Sequence, residues 1–193
     1  MRLKILSVGD PALRNVSRTL TRAEILSAPI QNLIEWMRET VRDAPGVGLA
    51  APQVGESVQL AVIEDRLEYH KALTEAELKE RERKEIPFHV IVNPAIELLG
   101  EPTETFFEGC LSLPGFMGLV TRARAVRVTC LDHSGEPQVI EASGWYARIL
   151  QHEIDHLHGS LYIDRMDSCS FSTVENYTRH WKHRVVNTST IKI

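Results

Sequence analysis

Ser143-Gly144-Trp145-Tyr146-Ala147-Arg148-Ile149-Leu150-Gln151-His152-Glu153-Ile154-Asp155-His156-Leu157-His158-Gly159 decides how this chain is read. Its apolar residues recur at helical spacing, Ser143 or Gly144 opens the run, and Gly159 supplies a C-terminal stop. One stripe is Leu150, Ile154 and Leu157, continued by Leu161; the other is Trp145, Ile149, His152 and His156. Apolar residues on two faces predict a largely enclosed helix. The two histidines then lie where solvent is scarce. In the H-E-x-x-H pattern His152 to His156, i,i+4 spacing puts both imidazoles on one face, about 5 to 6 Å apart at Cβ, as two ligands of one metal ion require. Glu153 beside them can act on a coordinated water as general base without being a ligand.

Two histidines do not make a centre, because a catalytic zinc-type site takes three protein ligands and one open position. The metzincin continuation fails here, with Tyr162 where its third His should stand. His158, two residues beyond His156, points to a different helix face. Cys110 in Glu108-Gly109-Cys110-Leu111-Ser112 is the better candidate, since a permissive Gly and a Leu-Ser-Leu-Pro turn can aim its thiolate and a following backbone N–H at one point. A third element is Gly46-Val47-Gly48-Leu49-Ala50-Ala51-Pro52-Gln53. Its small residues (Gly46, Gly48, Ala50, Ala51) leave space for a substrate backbone, and Gln53 offers an amide donor suited to an oxyanion. A phosphate loop is set aside, because neither the Walker ending nor the G-x-G-x-x-G pattern is present.

Around these motifs the chain is ordinary. Its 193 residues, 43% hydrophobic and 25% charged with 11 Gly and 9 Pro, suit a single domain and exclude collagen-like, disordered and low-complexity classes. A domain of this size buries roughly 70% of the surface of its unfolded chain, so a metal would be present for function rather than to create a core. The net charge of −4 and the lack of a Lys/Arg run argue against dedicated nucleic-acid binding. No apolar stretch approaches the ~18 residues of a membrane span, and Met1-Arg2-Leu3-Lys4 leads into no signal-peptide core. Cys110, Cys130 and Cys169 are odd in number and form no C-x-x-C pair, so a reducing compartment is expected.

Other elements follow from periodicity. Ile30, Leu33, Ile34, Met37 and Val41 predict an amphipathic helix started by Ser27 and Pro29. Val58 to Ile63 and Phe88 to Val92 read as strands, the second closed by Pro94. Between them Thr74-Glu75-Ala76-Glu77 has capping-box form and opens the charged run Leu78 to Glu85, read as a solvated surface helix. Val126, Val128 and Cys130 form the apolar face of a hairpin turning at Asp132-His133-Ser134-Gly135 toward Val139-Ile140, with Cys130 a buried small hydrophobe. From Arg165 onward five Lys/Arg face two Asp/Glu. Residues 165–193 therefore read as a polar, mildly basic C-terminal extension of a catalytic domain at 1–164. Thr178 to Arg184 and the pair His180 and His183 are read as a solvated basic segment.

The three motifs, in the order Gly46–Gln53, Glu108–Ser112 and Gln151–His156, resemble those of the peptide deformylase family. The resemblance implies an α+β fold in which antiparallel β-sheets surround a central buried helix carrying H-E-x-x-H. It implies Cys110, His152 and His156 as metal ligands, Glu153 as acid/base, and Gln53 with the Leu111 N–H as oxyanion donors. Val47, Gly48, Gly109, Trp145 and Ile149 are the expected substrate contacts, with the peptide added as a strand beside Gly46–Gly48. The implied cofactor is one divalent metal ion, Fe²⁺ in the cell, although the donor set also accepts Zn²⁺, Ni²⁺ or Co²⁺. The implied reaction removes the N-formyl group from the initiator methionine of nascent polypeptides, releasing formate. A zinc endopeptidase and a non-catalytic metal-stabilised binding protein are the alternatives. Expected partners are N-formylmethionyl nascent peptides and a transient ribosome contact, without membrane binding, for a monomer or homodimer. The setting would be bacterial cytoplasm, or an organelle interior if a transit peptide was removed. The Ser143-Gly144-Trp145 helix start is similar to the subgroup found in plant and animal organelles and some bacteria. Asp155 is expected to pair with Arg122, and Met117 stands where many bacterial relatives carry arginine.

Overall fold

A computed structural model describes residues 1–44 and 46–182. In chain order its regular elements are helices α1 (Arg22–Ile25) and α2 (Ala28–Asp43), strands β1 (Gly48–Ala50) and β2 (Leu60–Asp65), helices α3 (Leu67–His70) and α4 (Glu75–Glu80), strands β3 (Ile86–Leu98), β4 (Pro102–Cys110), β5 (Leu113–Ala123), β6 (Ala125–Leu131) and β7 (Pro137–Ser143), helix α5 (Gly144–Leu157), strand β8 (Ser172–Thr173) and helix α6 (Val174–His180). Two antiparallel sheets result, one ordered β1-β2-β3-β6-β7 and the other β4-β5-β8. The expected α+β class is what forms.

Alternation along β2 and β3 assigns the two faces of the larger sheet. Ala61, Ile63 and Ile91 join Val126, Val128 and Cys130 against Leu150, Ile154 and Leu157 of α5. Leu60, Val62, Val90 and Val92 pack on the other side with Leu33, Ile34, Met37 and Val41 of α2. Both faces are thus covered by a helix, and α5 is enclosed as its two stripes predict. β1 lies at the sheet edge and runs directly into the 3-10 turn Ala51–Val54 that holds Gln53.

Two expectations about elements need correcting. Pro94 does not close its strand: β3 continues through it to Leu98, because the register shifts between Val92 and Ala95 and Asn93 takes φ 51°. A bulge is where proline's missing N–H costs least. The charged run is not one solvated helix. α4 stops at Glu80, Glu82 adopts φ 49°, and the Trp145 N–H at the start of α5 captures the Arg81 carbonyl at 2.8 Å. Arg81 and Arg83 therefore turn back onto the body. Within the stretch from Arg165, β8 pairs with β5, and Tyr177 of α6 lies 4.8 Å from Phe107, ring to ring. His180 belongs to α6, while His183 lies outside the described residues.

Candidate metal centre and active site

Helix α5 starts at Ser143 and ends with Gly159 at φ 73°, so its caps hold His152 and His156 in register on one face. The β4–β5 hairpin delivers Cys110, paired with Leu113 across the Leu111-Ser112 turn. One ligand atom from each of Cys110, His152 and His156 lies within 4.8 Å of the others, and Cys110 Sγ is 3.3 Å from His156 Nε2. Donors about 2.0 to 2.3 Å from one tetrahedral ion sit about 3.3 to 3.8 Å apart, so the sulfur and two imidazoles fit a shared divalent ion. His158 is exposed, and its Nδ1 lies 2.9 Å from the Ile154 carbonyl oxygen. Tyr162 is buried, its ring stacked 6.3 Å from that of His152.

Glu108, which the sequence reading quoted without assigning a role, organises the centre. Its carboxylate accepts from Arg122 Nε at 2.6 Å and Nη2 at 2.9 Å, and from Arg148 Nη1 at 2.6 Å. His152 Nδ1 lies 3.0 Å from its other oxygen, which leaves Nε2 for the ion. A carboxylate bound to the distal nitrogen fixes the tautomer and orientation of a ligating imidazole. Burial alone would raise the Glu108 pKa, but Arg122 and His152 override it and hold the group far below the usual carboxylate range. Burial, with the neighbouring His152, keeps His156 well below its ordinary value and hence neutral, as a ligand must be. Arg122 extends the network to Asp155 at 2.8 Å. That pair is buried at the Arg122 end.

Glu153 is 4% exposed, and burial pushes its pKa up to about 7, while His152 and Arg122 pull the other way. Its Oε2 is buried with no protein partner. Gln53 is anchored through Oε1, which accepts the Ala50 N–H at 2.8 Å, and its Nε2 is turned toward Cys110 Sγ at 3.4 Å and Ser112 Oγ at 3.2 Å. The Ser112 N–H also lies 3.4 Å from the sulfur.

A pocket of about 640 Å³ opens on this cluster. It is lined by all five expected contacts, Val47, Gly48, Gly109, Trp145 and Ile149, and by Gln53, Leu111, Cys110, His152 and Glu153. Met117 lines it too, as do Arg81, Arg83, Val174 and Tyr177 from the stretches read as surface. The small residues of the Gly46 motif also serve packing within the protein. A Cβ at Gly48 would meet Glu153 Oε1 at 2.3 Å, one at Gly46 would meet Leu111 Cδ1 at 2.7 Å, and Ala50 and Ala51 are fully buried. The glycines make room for the site's own side chains.

Fold and site together define an α+β protein with a candidate Cys/His/His metal centre on a buried H-E-x-x-H helix. The family model for polypeptide deformylase matches residues 2–172. Over 172 residues the chain is 47% identical to the chloroplastic peptide deformylase 1A of tomato, covering 89% of this chain and 62% of that protein. It is 39% identical to the human mitochondrial peptide deformylase over 170 residues, 88% of this chain and 70% of the relative. A crystal structure of a peptide deformylase from Synechococcus elongatus superposes with a TM-score of 0.72 at 37% identity, covering 86% of this chain and 79% of that one. The chain belongs to the polypeptide deformylase family. It spans 62% of the length of the tomato relative.

Proposed function

We propose that this chain is a metal-dependent hydrolase that removes the N-formyl group from formylmethionyl nascent polypeptides, releasing formate. The observation that carries the reading is the convergence of Cys110, His152 and His156 beside a buried Glu153 in an open pocket. Cys110 Sγ and the two imidazoles would hold the ion. A divalent metal there acidifies a water toward neutrality and polarises a carbonyl. Glu153 takes the water's proton and later returns it to the departing amine, a role suited to a carboxyl poised near pH 7. Gln53 Nε2 and the Leu111 N–H donate to the oxygen that becomes anionic at the tetrahedral carbon, and one such donor is worth roughly 3 kcal/mol.

Because β1 is an edge strand, an extended peptide can align beside Gly46–Gly48. Val47, Trp145 and Ile149 would then wall the methionine side chain, with Gly48 and Gly109 along its backbone. Ferrous iron is the expected ion, with zinc, nickel or cobalt accepted by the same donors. The setting is a compartment that starts proteins with formylmethionine, either a bacterial cytoplasm or an organelle interior. Among the described residues no helix is long and apolar enough to cross a membrane. Neither the endopeptidase nor the non-catalytic alternative gains support from the family match.

Purified protein, prepared and assayed without oxygen, is offered formyl-Met-Ala-Ser, unformylated Met-Ala-Ser and an N-acetylated peptide of similar length. Formate release from the first alone is expected. Internal cleavage of the blocked peptide would restore the endopeptidase reading, and no hydrolysis of any of them would favour a binding protein.

A further inference from the structure

Three guanidinium groups gather round one indole on the pocket wall. Relative to the Trp145 ring, Arg81 lies at 5.0 Å, Arg83 at 5.3 Å and Arg148 at 6.0 Å. Arg81 and Arg148 also approach the Phe106 ring, at 5.6 and 5.1 Å. The protein itself answers two of the three charges. Arg83 donates to the fully buried Asp65 at 2.7 and 2.9 Å, and Arg148 donates to Glu108 and to the Val120 and Glu104 carbonyls. Among the described residues Arg81 forms no ion pair with a carboxylate, and its Nε is sealed from solvent without an acceptor. A desolvated donor left unpaired costs free energy that an incoming acceptor can recover. Arg81 lines the pocket, so the acceptor would arrive with whatever the pocket holds.

Trp145 precedes His152 by seven residues, about 10 Å along a helix. Trp145 and Arg81 line the same pocket, and extended peptide advances about 3.3 Å per residue, so the residues next to the methionine are the ones that can meet Arg81. We propose that Arg81 is a specificity-determining residue whose guanidinium, held against Trp145 and Phe106, receives a carboxylate on the second or third residue of the formylated peptide. The site then favours chains with Asp or Glu after the initiator methionine over chains with Lys or Arg. This rests on the deformylase reading above. The chain as a whole carries −4, so long-range steering would favour basic peptides. An acidic preference is therefore the signature of a local contact.

The metal-loaded protein and its Arg81→Gln and Arg81→Lys variants are compared on formyl-Met-Glu-Ala, formyl-Met-Ala-Glu and their Lys counterparts. The Glu:Lys ratio of kcat/KM is expected at about 5 for the unmodified protein at one of the two positions, a size typical of a part-exposed ion pair. It should fall to about 1 in Arg81→Gln and be mostly kept in Arg81→Lys, where the charge survives but the planar fork does not. Unformylated Met-Glu-Ala and Met-Lys-Ala, measured by calorimetry, should give the same order of ratio without any turnover. If Arg81→Gln does not fold, the unmodified protein's ratio is compared at about 0.05 and 0.5 M salt, where screening should lower it. A ratio near 1 in the unmodified protein, one unchanged in Arg81→Gln, or one insensitive to salt overturns the proposal. Absence of turnover on every formyl peptide counts against the deformylase reading instead, and the binding ratios then still decide the role of Arg81.

Discussion

The inner end of the pocket and its outer wall are built on opposite plans. At the inner end the groups that frame the ligands are answered by the protein, although Glu153 Oε2 and His156 Nδ1 are not: Glu108 answers Arg122, Arg148 and His152, Gln53 is held by the Ala50 N–H, and Cys110 receives Gln53 and Ser112. On the outer wall Arg81 packs on aromatic rings with its Nε unanswered, and the nearby Phe116 and Phe171 stack at 5.0 Å while both remain exposed. The difference separates chemistry from selection. Preorganised groups can act without rearranging, whereas unanswered ones have affinity left for a substrate.

Substitutions at the inner end should therefore abolish function, and the largest effect belongs to the base. Glu153→Gln should retain metal by elemental analysis while formate release falls about 1000-fold. Unimpaired turnover would remove Glu153 from its role. Glu108→Ala comes next, because it leaves Arg122 and Arg148 buried without their carboxylate. A loss of about 3 to 5 kcal/mol in denaturant unfolding and about 10- to 100-fold weaker metal affinity in competitive chelation are expected. A variant as stable as its parent would mean that the network is ornamental.

Smaller effects sharpen the contrast. Gly48→Ala places a methyl 2.3 Å from Glu153 Oε1, so kcat should fall about 10- to 100-fold. Gly46→Ala meets only the end of the Leu111 side chain, at 2.7 Å, and should cost less than about 5-fold. The reverse order in steady-state kinetics would contradict the packing argument. The smallest effect belongs to an ion pair outside the pocket lining. Arg42 holds the Glu64 carboxyl below its ordinary pKa through contacts at 2.7 and 2.6 Å. A depressed carboxylate stabilises the fold above its unfolded pKa and loses that contribution as pH falls through the folded value. Glu64→Gln should therefore cost about 1 kcal/mol or less at pH 7 and progressively less as the pH is lowered below the usual carboxylate range, as followed by urea titration.

The centre was legible because its signals are local. Helical spacing placed His152 and His156 together, and the flanking Ser143 and Gly159 marked the helix correctly. The larger sheet was half legible: alternation found β6 and β7, but Pro94 hid the continuation of β3, since a proline at a bulge looks like a stop until its register is known. Glu108 escaped notice although it lies two residues before Cys110 on a strand, and Arg148 escaped although it is four before His152 on the helix. Both spacings place side chains near those of the ligands, but charge alone suggested exposure. Arg81 and Tyr177 could not have been placed. Each reaches the pocket through tertiary contacts, one by the turn after α4 and the other by pairing of β8 with β5.

X-ray absorption at the metal edge of zinc-loaded protein, alongside the same measurement on Cys110→Ala, bears on the centre most directly. One sulfur at about 2.3 Å with nitrogen or oxygen scatterers at about 2.0 to 2.1 Å is expected, and the sulfur shell should vanish in the variant. A zinc ion bound without sulfur, or one whose sulfur shell survives Cys110→Ala, would contradict the assignment of Cys110, His152 and His156 to one ion.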